Sequence, residues 1–157
     1  MNNPENIEIV AYQEKYAEDA VRMWRSSKER AIGIKESHSF EAHLIFLKEI
    51  LITNNAVYLA LQQNNDNVVG LMATDGEYIN QLYIHNEYQR LGIGSEFLAL
   101  AKTKSCGKFQ LLTFEVNQGA QAFYERHGFR NKGRGSDNEE GLPDILYEWN
   151  INTQLAT

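Results

Sequence analysis

The sequence is poor in the residues that staple, kink or anchor a chain. One cysteine, Cys106, in 157 residues excludes an internal disulfide framework and a multi-cysteine metal site. With two prolines, no proline-rich linker divides the chain. No run approaches the roughly 20 apolar residues that a membrane-spanning helix needs. The first ten residues show neither the basic nor the apolar segment of a secretory signal. The expectation is a cytoplasmic protein with no membrane partner. Positive charge is short as well: 15 Lys and Arg against 21 Asp and Glu leave a formal net charge of −6. Nucleic-acid binders are ordinarily basic, so no nucleic-acid partner is expected. An acidic balance suits a cationic partner or plain solubility.

What is present is ordinary globular composition, 43% hydrophobic and 23% charged, over about one domain's length. No repeat or low-complexity tract interrupts it, so residues 1–157 read as a single α/β domain. Glycine is unevenly spread. Eight of the eleven lie between Gly92 and Gly141, which points to that half for the chemistry.

Periodicity places the elements. Residues 7–12 alternate as a short strand, and Tyr16, Ala20, Val21 and Trp24 recur at helical spacing up to about Lys28. Gly33 breaks that helix. Ser39 can cap a second, whose stripe is Phe40, Leu44, Leu47 and Leu51. Residues 56–61 and 68–73 read as a hairpin around the polar turn 64–67. After the Asp75-Gly76 turn, Tyr78, Asn80, Leu82 and Ile84 share one face of a strand, polar at its outer end and apolar at its inner end. A helix is expected from about Gly92 to Lys104, with Lys102 and Lys104 at its negative end. A strand follows over 108–116. Asn117 can cap a short helix that Gly128 closes. Residues 133–141 read as a loop, and Ile145–Trp149 as a last strand.

The most informative stretch is Tyr88-Gln-Arg-Leu-Gly-Ile-Gly-Ser95. A strand, a glycine turn and a helix start together make an anion-binding arrangement, because N–H groups there are free and the helix dipole favours negative charge. Gly92 and Gly94 lack Cβ atoms, so a pyrophosphate can approach the backbone closely. No Gly-Lys-Ser/Thr follows, and position 97 is Phe, so neither a Walker loop nor Gly-x-Gly-x-x-Gly is present. Read alone, the turn suits a plain strand–helix junction as well as a ligand.

Two signatures together resemble the GNAT family of acetyl-CoA-dependent N-acetyltransferases. Gln89-Arg90-Leu91-Gly92-Ile93-Gly94 matches the family's pyrophosphate motif Gln/Arg-x-x-Gly-x-Gly/Ala. About 25 residues on, a strand ends in Asn117. It is followed by Ala120, Phe123-Tyr124-Glu125 and Gly128-Phe129, the family's second signature. The resemblance implies an acyl-CoA N-acyltransferase fold: a mixed, mostly antiparallel central sheet, splayed at the cofactor cleft and flanked by helices.

It also implies roles at matching positions. Backbone N–H groups from Arg90, Leu91, Gly92, Ile93, Gly94 and Ser95 hold the pyrophosphate of acetyl-CoA, and Gln89 is either a further ligand through its N–H or side chain or a solvated turn residue. Leu82, Tyr83 and Ile84 pair with the pantetheine arm like an added strand, and the Leu82 N–H meets the thioester carbonyl. Asn117 contacts the pantetheine from the neighbouring strand, with Phe123 and Tyr124 beside it. Tyr124, near the sulfur, is the general acid. The expected reaction is direct attack by a primary amine, of a small molecule or a protein, through a tetrahedral intermediate. Neither an acetyl-enzyme on Cys106 nor a metal takes part. The family's strand carboxylate is replaced here by Tyr78, which leaves a water chain first as general base, with Glu77 and Glu115 behind. A homodimer is a further family expectation. The alternative function is an acyl-CoA sensor or interaction module without turnover. Read without the motif, Tyr124 is an aromatic on an apolar helix face and Asn117 a helix cap. Trp24, Ile34, His38 and Phe40 are candidates for the acceptor wall. Asp137, Glu139, Glu140 and Asp144 are candidates to attract a cationic acceptor.

Overall fold

The order of elements follows the alternation of period along the chain. The computed structural model describes residues 6–152. β1 (Ile7–Ala11) leads into α1 (Ala17–Ile32), then α2 (Phe40–Ile45), a π-helical segment (Phe46–Leu51) and α3 (Ile52–Asn54). β2 (Ala56–Gln62), β3 (Val68–Thr74) and β4 (Ile79–Ile84) follow, then α4 (Ile93–Lys104), β5 (Lys108–Phe114), α5 (Gln118–Arg126), β6 (Arg130–Gly135) and β7 (Asp144–Asn150). β1-β2-β3-β4 form one antiparallel sheet, and β5-β7-β6 a second.

The two sheets meet at one point. Tyr78 and Gln110 make a parallel bridge, and the Gln110 N–H donates to the Glu77 carbonyl at 2.9 Å. Beyond it β4 and β5 diverge, which opens a wedge between them. Helices cover both faces. Trp24, Leu47, Leu59 and Leu71 pack in the layer under α1 and α2. Phe97, Phe109, Tyr124 and Tyr147 pack in the layer under α4 and α5. β3 is therefore buried along its whole length, and its apolar run Val68–Ala73 is continuous rather than alternating.

Three local features differ from the periodic reading. α1 runs on to Ile32, where Gly33 takes φ +75° and its N–H closes on the Glu29 carbonyl at 2.8 Å. The second helix widens into a π-helical segment over Phe46–Leu51, which its apolar stripe does not announce. Residues 133–135, expected as loop, belong to β6. β6 is an edge strand, exposed throughout and carrying Arg130, Lys132 and Arg134. Charged edges discourage strand addition, and such a strand has no apolar alternation to read.

The end of α5 is a Schellman motif, as Gly128 suggests. The Phe129 N–H donates to the Tyr124 carbonyl at 3.0 Å and the Gly128 N–H to the Glu125 carbonyl at 3.2 Å. Gly128 sits at φ +86°, a conformation that opposes a Cβ. Gly128→Ala should cost about 1 kcal/mol. That corresponds to a melting temperature lower by roughly 2–4 °C in a thermal scan; an unchanged melting point would contradict the motif.

Candidate active site

β4 reaches α4 through a short 3₁₀ turn, Asn86–Tyr88. The His85 Nδ1 accepts the Glu87 N–H at 3.1 Å. Gln89 clips the turn back on the strand, its Nε2 donating to the Ile84 carbonyl at 3.2 Å. Arg90 and Gly92 both take left-handed conformations, φ +66° and +87°, and so aim the chain into α4 at Ile93. Gly92 caps α4 without a side-chain acceptor. The first N–H groups of the helix are thus available, and they and the dipole converge on one spot.

The two glycines of the turn serve different ends. A Cβ on Gly92 would meet nothing within 4 Å, so its backbone lies open to an approaching anion. A Cβ on Gly94 would lie 2.9 Å from Phe123 Cζ. Gly94 therefore lets α5 seat its Phe123 ring against the first turn of α4, in addition to leaving its N–H uncovered.

The wedge between β4 and β5 is a cleft of about 80 Å³ whose walls include Gln81, Leu82, Tyr83, Thr113, Asn117 and Tyr124. Leu82 presents backbone to it. The His85 N–H donates to Val69 of β3 at 2.8 Å. N–H groups alternate in direction along a strand, so Tyr83 shares that edge and Leu82 and Ile84 face the other. The Ile84 carbonyl agrees: it accepts from Ser27 Oγ at 3.3 Å and from Gln89 rather than from β3. A register shift opposite Ala73/Thr74 marks where β4 changes phase at the mouth of the wedge. A larger hollow of about 360 Å³ lies beside Thr53, Asp75 and Lys104, away from the glycine turn and from α5.

Opposite Leu82, α5 delivers the second signature residue by residue. Asn117 Oδ1 accepts the Ala120 N–H at 3.1 Å, so its side chain caps α5 while lining the cleft. Phe123 packs on Gly94. Tyr124 is buried, with its ring 5.4 Å from that of Phe129, and faces the cleft. Burial first, and Tyr83 second, push the Tyr124 phenol well above its ordinary pKa. Burial also pushes Tyr83 up to about 12. Glu125 anchors the helix by accepting the Tyr147 hydroxyl at 2.6 Å.

The two candidate carboxylates stand elsewhere. Glu77 is exposed in the turn before β4, its N–H bound to Asp75 Oδ1 at 2.9 Å. Glu115 is ion-paired with Arg134 across the second sheet. Neither lines the cleft. Cys106 is exposed beyond α4. Among the described residues no group of three or more His, Cys, Asp or Glu is placed to hold a metal, and no helix is long and apolar enough to cross a membrane.

Charged groups that act on Tyr83 of the cleft belong to a network that local sequence does not reveal. Lys28 of α1 bridges Glu36 at 3.2 Å and Glu140 at 2.8 Å, and His38 Nε2 lies 3.0 Å from Glu139. These pairs tie the β6–β7 loop to the α1–α2 loop. Burial alone would raise the Glu36 carboxyl, but the Lys28 ammonium holds it below the usual range. Trp24 is buried, edge-on to His43 at 4.1 Å and stacked on Tyr83 at 6.4 Å. Burial drives His43 down to about 4, so it is neutral. Lys28 and Glu36 are 8 positions apart and Glu140 is 112 beyond Lys28; no spacing rule joins them.

A splayed sheet, a glycine turn at a helix start and an aromatic cleft between the diverging strands fit an acyl-CoA-type transferase. The comparisons specify it. Residues 25–151 match the family described as "Acetyltransferase (GNAT) domain", and the chain belongs to that family of acetyl-CoA-dependent acetyltransferases. It is 29% identical over 140 residues to peptidyl-lysine N-acetyltransferase YjaB of Salmonella typhimurium, covering 87% of this chain and 92% of that protein. Its fold matches the solution structure of apo YjaB from Escherichia coli. The TM-score is 0.73 at 19% identity, over 91% of this chain and 97% of that one. It also matches the PaiA N-acetyltransferase of Thermoplasma acidophilum crystallised with coenzyme A. There the TM-score is 0.69 at 19% identity, over 92% and 98% of the chains.

Proposed function

We propose that this acetyltransferase moves an acetyl group from acetyl-CoA to a primary amine by direct attack on the thioester. The observation that carries the reading is that the Leu82 edge and Tyr124 face one cleft, while the α4 turn abuts the helix bearing Tyr124 through the Gly94–Phe123 contact. The turn from Gln89 to Ser95 holds the pyrophosphate on backbone N–H groups. The arm then lies along Leu82–Ile84 and opposite Asn117, and acetyl-CoA supplies the activated acyl group there. The Leu82 N–H stabilises the oxyanion of the tetrahedral intermediate. Tyr124 protonates the departing thiolate.

An ammonium of pKa about 10.4 must lose its proton before it attacks. Because neither Glu77 nor Glu115 lines the cleft, a water chain is the base that the geometry supports. The network of Lys28, Glu36, Glu139 and Glu140, which acts electrostatically on Tyr83 of the cleft, carries more acid than base and suits an amine on a cationic acceptor. The name of the Salmonella relative makes lysine side chains of peptides the first acceptors to try.

The test is calorimetric titration with acetyl-CoA, followed by thiol release on a panel of small amines, amino acids and lysine peptides. Binding followed by amine-dependent thiol release is the expected result. No binding, or binding with no release on the whole panel, would overturn the reading.

A further inference from the structure

One histidine outside the catalytic cleft touches both halves of the machinery. His127 follows α5 directly after Arg126, half-buried. Its Nε2 lies 3.0 Å from Ser95 Oγ, in the first turn of α4. Its ring packs on Phe123 with centroids 4.7 Å apart, and Phe123 in turn rests against Gly94. Its backbone carbonyl accepts from Lys102 Nζ at 3.0 Å. The anion turn and the helix bearing Tyr124 are thereby joined through a single imidazole.

We propose that His127 is a positioning residue for the pyrophosphate, taking up a proton from solvent as coenzyme A binds and thereby freeing the Ser95 hydroxyl for a phosphate oxygen. This rests on the assignment of the pyrophosphate to the α4 turn. The hydrogen bookkeeping is direct. In the neutral tautomer that carries its proton on Nδ1, which the proposal requires of the free protein, the Ser95 O–H donates to Nε2 and is spent inside the protein. Once the ring is an imidazolium, Nε2–H donates to Oγ instead, and the hydroxyl hydrogen turns outward. The same proton adds a positive charge one side chain away from the anion.

The surroundings set the switch in the right direction. The charged groups acting on His127 are Lys102 from α4 and Arg126 from its own helix, both cationic. Burial first, and these cations second, hold the imidazole below its usual pKa in the free protein, so it is neutral at pH 7. A bound pyrophosphate opposes them and raises it. A group that gains proton affinity on binding makes binding tighter as pH falls through its bound-state pKa.

The experiment is calorimetric titration with 3′-dephospho-CoA, whose pyrophosphate does not titrate in this range, at pH 6.5 in two buffers of different ionisation enthalpy. The difference in heat counts protons. Wild-type protein should take up roughly a third of a proton or more, and its affinity should rise about three- to tenfold between pH 7.5 and 6.0. His127→Asn should show uptake near zero and a flat profile. His127→Gln serves if the first variant melts early. A purely structural histidine would move the melting point without moving the proton count. Absent uptake in the wild type, or undiminished uptake in both variants, overturns the proposal. Gly92→Glu separates the underlying assignment: if it leaves binding unimpaired, the pyrophosphate lies elsewhere and both fall. If it removes binding while the His127 variants keep the wild-type count, only the proton proposal fails.

Discussion

Tyr124→Phe should lower single-turnover thiol release by about 10²- to 10³-fold while leaving the Kd for acetyl-CoA within about twofold. The fold should hardly notice the change. The ring's neighbours are Phe123, Phe129 and Tyr147, at 5.2, 5.4 and 6.2 Å, and Phe keeps all three contacts. Among the described residues the hydroxyl has no hydrogen-bond partner to lose. What the substitution removes is a proton donor facing the cleft. A departing thiolate, of pKa near 8.5, needs a proton as it leaves, and a fixed O–H beside it supplies one without reorganisation. The elevated pKa of Tyr124 bears on the pH profile. A raised phenol stays protonated to higher pH, so loss of the acid cannot produce a falling limb below about pH 10. The rate should instead rise with pH as the amine deprotonates, in wild type and variant alike. An unaltered single-turnover rate would remove Tyr124 from the acid role.

The same residues show which parts of the molecule a sequence exposes. The glycine turn and the Asn117–Phe129 signature were legible because each position answers a local demand. Gly92 and Gly128 sit at positive φ, Asn117 caps α5, Phe123 seats on Gly94, and Glu125 ties α5 to Tyr147. Such demands recur at fixed spacing, so motifs preserve them. Helix and strand periods were equally readable where one face is buried and the other wet. β6 escaped because an exposed charged edge has no such contrast, and the π-helical segment because its residues keep an α-helical apolar stripe. The Lys28–Glu36–Glu140 network escaped for a different reason. Its partners come from three elements that only the folded sheet brings together. The general base is illegible on both counts: Glu77 and Glu115 are near the cleft in sequence, yet a turn and an ion pair with Arg134 hold them outside it.

The second large effect separates the two glycines of the turn. Gly92→Glu should weaken acetyl-CoA binding by at least about 100-fold while the protein stays folded. There is room for the side chain, and the left-handed backbone costs a non-glycine residue about 1–2 kcal/mol. A carboxylate at the start of α4 recovers part of that by favourable interaction with the helix dipole. The same carboxylate then occupies the N–H groups that an anion needs and repels the pyrophosphate. Gly94→Ala should behave in the opposite way. Its new methyl meets Phe123 Cζ at 2.9 Å, so the ring must shift, and with it the packing of α5 on α4. Overpacking of this kind costs about 1–3 kcal/mol. The melting temperature should fall by roughly 2–4 °C for each kcal/mol, and Tyr124, on the next position of α5, should lose its alignment. Turnover then falls more than affinity. Paired measurements of Kd, kcat and melting temperature distinguish the two mechanisms. A Gly94→Ala protein that melts normally and turns over normally would show that Phe123 moves aside freely. A Gly92→Glu protein with wild-type affinity would show that the start of α4 does not hold the pyrophosphate.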